Sequence, residues 1–330
     1  MPIEIINAIK PDRDILLKYL NDVRELPWTN EQLEAYVDWR YFGRQDSIPV
    51  MAISNSECLA FIDSQIRQYG LNGRKLVIQE SSEWYCRPKY RPTGLGVRVL
   101  QKMMLRDEPI ISIRGTEASQ QLLLKLGWAQ LKPVHLFSKM INLKTQSKDF
   151  IAKLRWLGKR STAEVTMSVE PPPKAVLDEY CAVENCITTL MEPWEIEWFS
   201  AAPAVVGQYD WLLFRKDGHF SGFALVRVYE GKEYRRGQIV HFQTSDDNPE
   251  IIYRMLDLTC AHLANRGVVR ILARFSAEKY CRSLIELGFH QSGPQPAFFW
   301  DKGQSLPLAE WNTDFSYLRG DDAIRPFSAA

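Results

Sequence analysis

Arg91-Pro-Thr-Gly-Leu-Gly96 follows a strand-like run, Lys75-Leu-Val-Ile-Gln79, and opens a helix. In that helix Leu95, Val99, Leu100, Met103 and Met104 recur at i, i+4, i+5, i+8 and i+9 and form one apolar stripe. Two glycines at a helix entrance let the backbone approach a ligand without a side-chain clash. The first helical N–H groups have no intrahelical acceptor and carry the positive end of the helix dipole. A strand, a glycine loop and a helix N-terminus in this order make a cradle for a phosphate or pyrophosphate. The spacing is not that of a Walker loop, which ends in Gly-Lys-Ser/Thr, nor that of the three-glycine dinucleotide fingerprint.

Composition sets the frame. The chain has 330 residues, 45% apolar and 25% charged, long enough for two domains of ordinary size. A net charge of +1 implies no global attraction to nucleic acid or membrane. No run of about 18 apolar residues occurs, so no membrane span is expected. The N-terminus, Met1-Pro-Ile-Glu-Ile-Ile6, lacks the pattern of a secretory signal, and a cytoplasmic protein is expected. Cys58, Cys86, Cys181, Cys186, Cys260 and Cys281 are scattered without a Cys-x-x-Cys pair and read as reduced, mostly buried thiols. The five histidines show no ligand spacing, and no metal is expected.

The second half of the chain repeats the first at an offset of about 160 residues. Asp38-Trp39 matches Glu197-Trp198, Val50–Ile53 matches Trp211–Phe214, and Leu59–Phe61 matches Gly222–Ala224. Further on, Lys75–Ile78 matches Gln238–His241, Ile110–Arg114 matches Val269–Ala273, and Leu126-Gly-Trp128 matches Leu287-Gly-Phe289, with Phe137 against Phe298. Strands alternating with helices in each copy predict a mixed α/β sheet with helices on its faces. The expected division is a first domain over 1–143, a linker over 144–174 and a second domain over 175–330. The linker begins with a basic, amphipathic stretch, Lys148 to Arg160, which reads as an interdomain helix or as a segment lying on an acidic partner or membrane surface, and ends in Glu170-Pro-Pro-Pro-Lys174, a stiff spacer.

Arg-x-x-Gly-x-Gly late in a domain resembles the coenzyme A signature of the GCN5-related N-acetyltransferase superfamily. The following strand Pro109–Arg114, the helix Thr116–Leu126 and Gly127-Trp128, where that family usually has Gly-Phe, fit the same resemblance over most of residues 1–143. It implies two tandem acyl-CoA N-acyltransferase domains of mixed α/β fold. It also implies acetyl-CoA or another acyl-CoA as co-substrate and an amine-bearing small molecule or peptide as acceptor. Nucleic acid is not an expected partner, and either a monomer or a homodimer is compatible.

Residue by residue, the resemblance makes Lys75 to about Arg87 the long fourth strand, which splays from its neighbour to admit acyl-CoA. Cys86 then lies beside the thioester, where its backbone N–H is an oxyanion donor. Arg91, Pro92, Thr93, Gly94, Leu95, Gly96 and Val97 surround the pyrophosphate, and Pro92 has no N–H to give. Glu80 and Glu83 are the candidate bases, on opposite faces of a regular strand. Glu80 shares parity with Ser82, Trp84 and Cys86, which favours it, and a bulge would reverse the choice. The family's usual proton-donating tyrosine is Leu123 here and Leu284 in the second copy, leaving Tyr85 and Tyr90 as nearby candidates or an unassisted thiolate. Thr116 stands where the family often has asparagine.

In the second copy the glycine motif is replaced by Phe242-Gln-Thr-Ser-Asp-Asp-Asn-Pro-Glu250, whose carboxylates would repel a pyrophosphate. This copy reads as having lost its acyl-CoA site, leaving it to complete an acceptor pocket or to stabilise the first. The tail from Trp311 to Asp322 has two readings, a cover over a polar acceptor or a packed end. Other readings of the whole chain stand beside the acyl-CoA enzyme: an aminoacyl-tRNA-dependent transferase of related double fold, a non-catalytic CoA-binding scaffold, and a thiol-ligating tandem enzyme resembling mycothiol synthase.

Overall fold

A computed structural model describes residues 2–23, 28–141, 164–177, 186–303, 306 and 312–316. The first half runs β1 (Glu4–Asn7), α1 (Arg13–Val23), α2 (Asn30–Val37), β2 (Val50–Ser54), β3 (Glu57–Leu71), β4 (Arg74–Cys86), α3 (Leu95–Met104), β5 (Ile110–Ile113), α4 (Glu117–Lys125) and β6 (Ala129–Met140). The second half runs β7 (Val165–Val169), β8 (Cys186–Thr189), α5 (Pro193–Ser200), β9 (Gln208–Lys216), β10 (His219–Glu230) and β11 (Arg235–Thr244). It continues with α6 (Pro249–Asn265), β12 (Arg270–Phe275), α7 (Glu278–Glu286), β13 (His290–Trp300) and β14 (Asn312–Asp314).

Local sequence accounts for these elements. Asn55-Ser56, Asn72-Gly73 and Asp217-Gly218 all have positive φ and close the hairpins β2–β3, β3–β4 and β9–β10, as two-residue primed turns require. Thr29 caps α2 by accepting the Gln32 N–H. The apolar stripe of α3 buries Leu95, Val99, Leu100 and Met103 against the sheet. No helix of the described residues is long and apolar enough to cross a membrane.

The strands form one mixed sheet whose main path runs β1-β2-β3-β4-β5-β13-β6-β12-β11-β10-β9-β7, with β8 pairing β3 and β14 pairing β8 beside it. The matched stretches of the two halves fall on corresponding elements: Val50–Ile53 on β2 and Trp211–Phe214 on β9, Ile110–Ile113 on β5 and Val269–Ala273 at β12. The middle of the order departs from a simple tandem. β13, the last strand of the second copy, pairs with β5, and β6, the last of the first copy, pairs with β12. β6 and β13 then pair with each other, antiparallel. Phe298 on β13 consequently packs in the core beneath α3, while Phe137 on β6 packs in the core beneath α6. The expected boundary at residue 143 separates two sequence copies, but each half-sheet is completed by the other copy's last strand.

On the opposite face α1, α2 and α5 share one core that draws on both halves. Its centre is Trp39 against Trp198, with ring centroids 4.1 Å apart and planes 3° from parallel. The Trp39 indole N–H donates to the Trp198 carbonyl and the Trp198 indole N–H to the Trp39 carbonyl, both at 2.9 Å. The contact is reciprocal: each tryptophan gives the other the same hydrogen bond.

The expected linker is shorter at its end. Val165–Val169 is a strand that pairs antiparallel with β9 through Lys216 to Leu212, because its alternate apolar residues reach the core under α6. The basic stretch 148–160 lies outside the described residues.

Truncating Trp39 or Trp198 to alanine is expected to cost about 3–5 kcal/mol each, as for other buried large-to-small changes. The double variant should lose at least about 1 kcal/mol less than the sum, since each change strands the same reciprocal pair. Urea denaturation of the four proteins measures this.

Candidate functional site

The parallel pairing of β4 with β5 extends only over Gln79–Ser81 against Ile110–Ser112. Beyond it β5 leaves with β13, its course marked by Arg114 N–H donating to the Pro296 carbonyl at 2.7 Å. Residues 82–86 of β4 keep β3 on one side and have no strand on the other among the described residues. The result is a V-shaped slot with β4 as one wall. Arg87 N–H bonds the Leu59 carbonyl at 2.9 Å, so the alternation of an antiparallel ladder turns Cys86 N–H away from β3, toward the slot.

A 3-10 turn, Pro88–Thr93, carries the chain from β4 to α3. Gly94 is the N-cap with φ 72°, a left-handed conformation that glycine adopts without strain, and no side chain caps α3. Gly94 N–H is used within the turn, on the Arg91 carbonyl at 3.2 Å. Gly96 N–H lies close enough to the Cys86 thiol to pull its pKa down. The first-turn amides of Leu95 and Val97 remain at the helix entrance, where the dipole favours an anion. A Cβ on Gly96 would lie 3.3 Å from Cys86 Cβ and 3.5 Å from Trp84 Nε1, so this glycine serves the contact between α3 and β4. Trp84 Nε1 donates to the Gly96 carbonyl at 3.0 Å and fixes the same contact.

Arg91 is exposed, donates from Nε to the Cys86 carbonyl at 3.0 Å and covers the Tyr85 ring at 5.3 Å. It braces the loop from outside. Thr93 hydroxyl bonds the Tyr90 carbonyl at 2.7 Å. Burial raises the Cys86 thiol pKa above its ordinary value, against the opposing pull of Gly96 N–H and Arg91. A neutral thiol there is no nucleophile at pH 7.

The strand parity expected for the two glutamates is overturned by a bulge. Phe61 pairs with Tyr85 but Asp63 pairs with Ser82, so Glu83 and Trp84 together oppose Ile62, and Glu83 takes φ 52°. Upstream of the bulge, Glu80 and Ser82 face the α1–α2 side and Gln79 faces α3. Downstream, Tyr85 faces α1–α2 while Trp84 and Cys86 face α3. Glu83 also turns to the α1–α2 side, where its carboxylate accepts from Tyr41 hydroxyl. Glu80 and Glu83 therefore share a face, and it is not the face of Cys86.

Their surroundings differ. Glu80 accepts from Tyr69 hydroxyl at 3.0 Å and lies 3.5 Å from Arg67 Nε. Arg67 in turn pairs at 2.9 Å with Glu195 of α5, an ion pair that joins the halves. Arg44 bonds Asp46 at 2.6 Å and lies over the Trp198 ring at 4.4 Å. Burial pushes Glu195 up despite Arg67 and Arg44; burial also opposes ionised Asp46, yet the Arg44 pair holds it low. Next to Glu83, Arg40 pairs with Asp63, both fully buried, and Asp63 also accepts from Ser82 at 2.9 Å and Gln65 at 2.8 Å.

Sequence reading missed Tyr41, Arg40, Asp63, Arg67 and Tyr69. The polar positions 63, 65 and 67 of β3 alternate as on a solvated strand face, and nothing local reports that α5 of the other half covers them.

Thr116 caps its own helix by accepting Ser119 N–H at 3.2 Å. Leu123 is core beside Trp128, and Leu284 is core at the same place in the second half. An open surface recess of about 610 Å³ lies elsewhere, along the outer side of α3 by Arg98, Lys102, Trp300 and Lys302.

The second half repeats the V but fills it. β11 and β12 pair over Arg236–Ile239 and Arg270–Ala273. Beyond that point Ser316 bridges to Phe275, Ser276 N–H donates to the Phe315 carbonyl at 3.1 Å, and Ser316 Oγ meets His241 Nδ1 at 3.0 Å. The described part of the tail touches both halves: Ser316 bridges into the second V, while β14 pairs with β8, which pairs with β3, and Phe315 packs on Tyr69 at 6.3 Å. Asn248 caps α6 on Glu250 N–H, Asp246 holds Lys216 at 2.7 Å and Asp247 holds Lys279 at 2.7 Å. That helix entrance is capped and acidic.

Against known proteins, no protein-family model and no curated sequence matches the chain. Solved structures do. A GCN5-related N-acetyltransferase from Anabaena variabilis superposes with a TM-score of 0.59 at 11% identity, over 90% of this chain and 72% of that one. One from Kribbella flavida gives 0.55 at 16%, over 90% and 70%. The N-myristoyltransferase of Saccharomyces cerevisiae with bound myristoyl-CoA gives 0.55 at 13%, over 91% and 79%. The fold is that of tandem GCN5-related N-acetyltransferases.

Buried His241 is neutral, because desolvation lowers its pKa to about 4, only partly offset by Gln243. The unfolded chain binds that proton near pH 6.5. Its contribution to stability is present above pH 6.5 and is lost as pH falls toward 4, by about 3 kcal/mol. Urea titrations at pH 7 and pH 4 should show a steeper loss for wild type than for His241→Gln.

Proposed function

We propose that the protein is an N-acyltransferase that binds one acyl-CoA in the slot of its first half and transfers the acyl group to an amine. The observation that carries this reading is the opening of β4 from β5 after Ser81, directly beside an uncapped helix entrance. Leu95 and Val97 amides would receive the pyrophosphate, with Gly94 and Gly96 allowing the approach and Pro92 and Thr93 lining it. Arg91 would hold the loop. Cys86 N–H would donate to the thioester carbonyl and stabilise the oxyanion as the amine adds. Between the two glutamates the bulge favours Glu83 as the base, since Glu80 is held by Tyr69 and Arg67.

Acetyl-CoA is the simplest donor for this site. The bound myristoyl-CoA in the yeast enzyme supports acyl-CoA as the class and leaves chain length to the acyl pocket. The second half would bind none, since Ser316 bridges to Phe275 across its slot and carboxylates stand at its helix entrance. The described cysteines are free thiols, which fits a reducing compartment such as the cytoplasm. Buried Leu123 favours a second reading, an acyl-CoA-binding protein without turnover, which predicts binding but no amide product.

Isothermal titration of wild type with acetyl-CoA is expected to give one site per chain. Gly94→Ala with Gly96→Ala should weaken binding at least about tenfold, through strain at a positive φ and crowding of Cys86. No heat of binding rejects the reading, and two sites per chain reject the occluded second slot.

A further inference from the structure

The outer side of α3 carries a feature that acyl transfer leaves unused. The recess of about 610 Å³ beside it is bordered by that helix, by Ile5 of β1 and by the end of β13. Arg98, Lys102 and Leu105 stand there at i, i+4 and i+7, a stripe separate from the one that α3 buries. We propose that this recess binds a small amphiphilic carboxylate, an acid with one anionic head and an apolar chain. The inference does not depend on the acyl-CoA reading.

Charge decides the head group. Arg98, Lys102 and Lys302 line the recess, and no acidic residue is among the described residues that do. Arg98 and Lys102 are one helical turn apart, so their charges repel. Lys102 lies in the last turn of α3, where the helix dipole favours a cation; Arg98, close to the other end, has no such support. Among the described residues neither pairs with a carboxylate. Lys302 meets Asp107 at 3.4 Å, with 56% and 96% of the two side chains exposed, and such a pair is weak in water. The chain as a whole carries only +1, so the excess of positive charge is local. An amine would find no anion here, which separates the recess from any acceptor site.

Apolar surface decides the body. Leu105 is 70% exposed, more than any other large apolar side chain among the described residues. Ile5, Met104 and Trp300 pack against the core beneath α3 and also line the recess. Cations and an exposed apolar floor at one place ask for opposite things of water, and a ligand of matching polarity answers both. A carboxylate shared by Arg98 and Lys102 removes their repulsion and suits the guanidinium fork. The attached chain covers Leu105 and the Trp300 indole. The volume lies in the range of small-ligand sites, about 300–1,000 Å³. Leu105 is also well removed from the helix entrance, about 12 Å along the axis from Val97, so the recess is distinct from the phosphate cradle.

Isothermal titration with decanoate, kept below its micelle concentration, tests the proposal. Wild type is expected to bind one decanoate per chain and to bind decan-1-ol, which keeps the chain and lacks the charge, at least about tenfold more weakly. Lys102→Glu should weaken decanoate at least about tenfold and Leu105→Gln about fivefold. Lys232→Glu, the same charge change at an exposed position in the second half, should leave the affinity within about twofold. Should Lys102→Glu fail to fold, Lys302→Glu takes its place with the same expectation. Adding acetyl-CoA should leave the decanoate isotherm unchanged. No heat with decanoate, equal affinity for decan-1-ol, an equal loss at Lys232, or displacement by acetyl-CoA would each overturn the inference.

Discussion

The antiparallel pair of β6 and β13 is the joint on which the sheet depends. Take it away and β5 loses the neighbour on its side away from β4, while β12 loses its partner on the other edge. Past the end of its pairing with β4, β5 stays bonded to β13 through Arg114 and Pro296, so the opening in the first half is flanked by a strand from the second. Phe137 and Phe298 extend the same exchange into the cores, each filling the space beneath the other half's helices.

A second tie acts on the opposite face. Trp39 and Trp198 stack and exchange hydrogen bonds, and the Arg67–Glu195 pair stands beside them between the halves. Buried ion pairs rarely add net stability, because desolvation cancels much of their attraction. Their cost is highest when one partner is missing, so the network around Arg40, Arg44 and Arg67 specifies one docking of the halves more than it strengthens it.

Much of this was legible in sequence because it is local. The apolar stripe of α3 and the glycine entrance to that helix at 94–96 each carry their own signal, and both lie where expected. The repeat was legible because one offset is kept through seven short matches. The exchange of last strands was not, since β6 and β13 have the same pattern whichever edge they join. The faces of Glu80 and Glu83 were not either. A bulge adds one residue without changing composition, and Glu83 is a residue type that seldom takes a positive φ.

The exchange also sets an order of events during synthesis. The ribosome completes residues 1–141 well before β13, at 290–300, has been made. At about 5–20 residues per second the delay is on the order of ten seconds or more. Throughout it, the edge of β5 that β13 will cover carries unpaired backbone groups, an invitation to any other extended chain. Its short length, four residues, keeps that edge small. The nascent first half thus has to wait for its own C-terminus, which makes chaperone access in that interval a property of the topology itself.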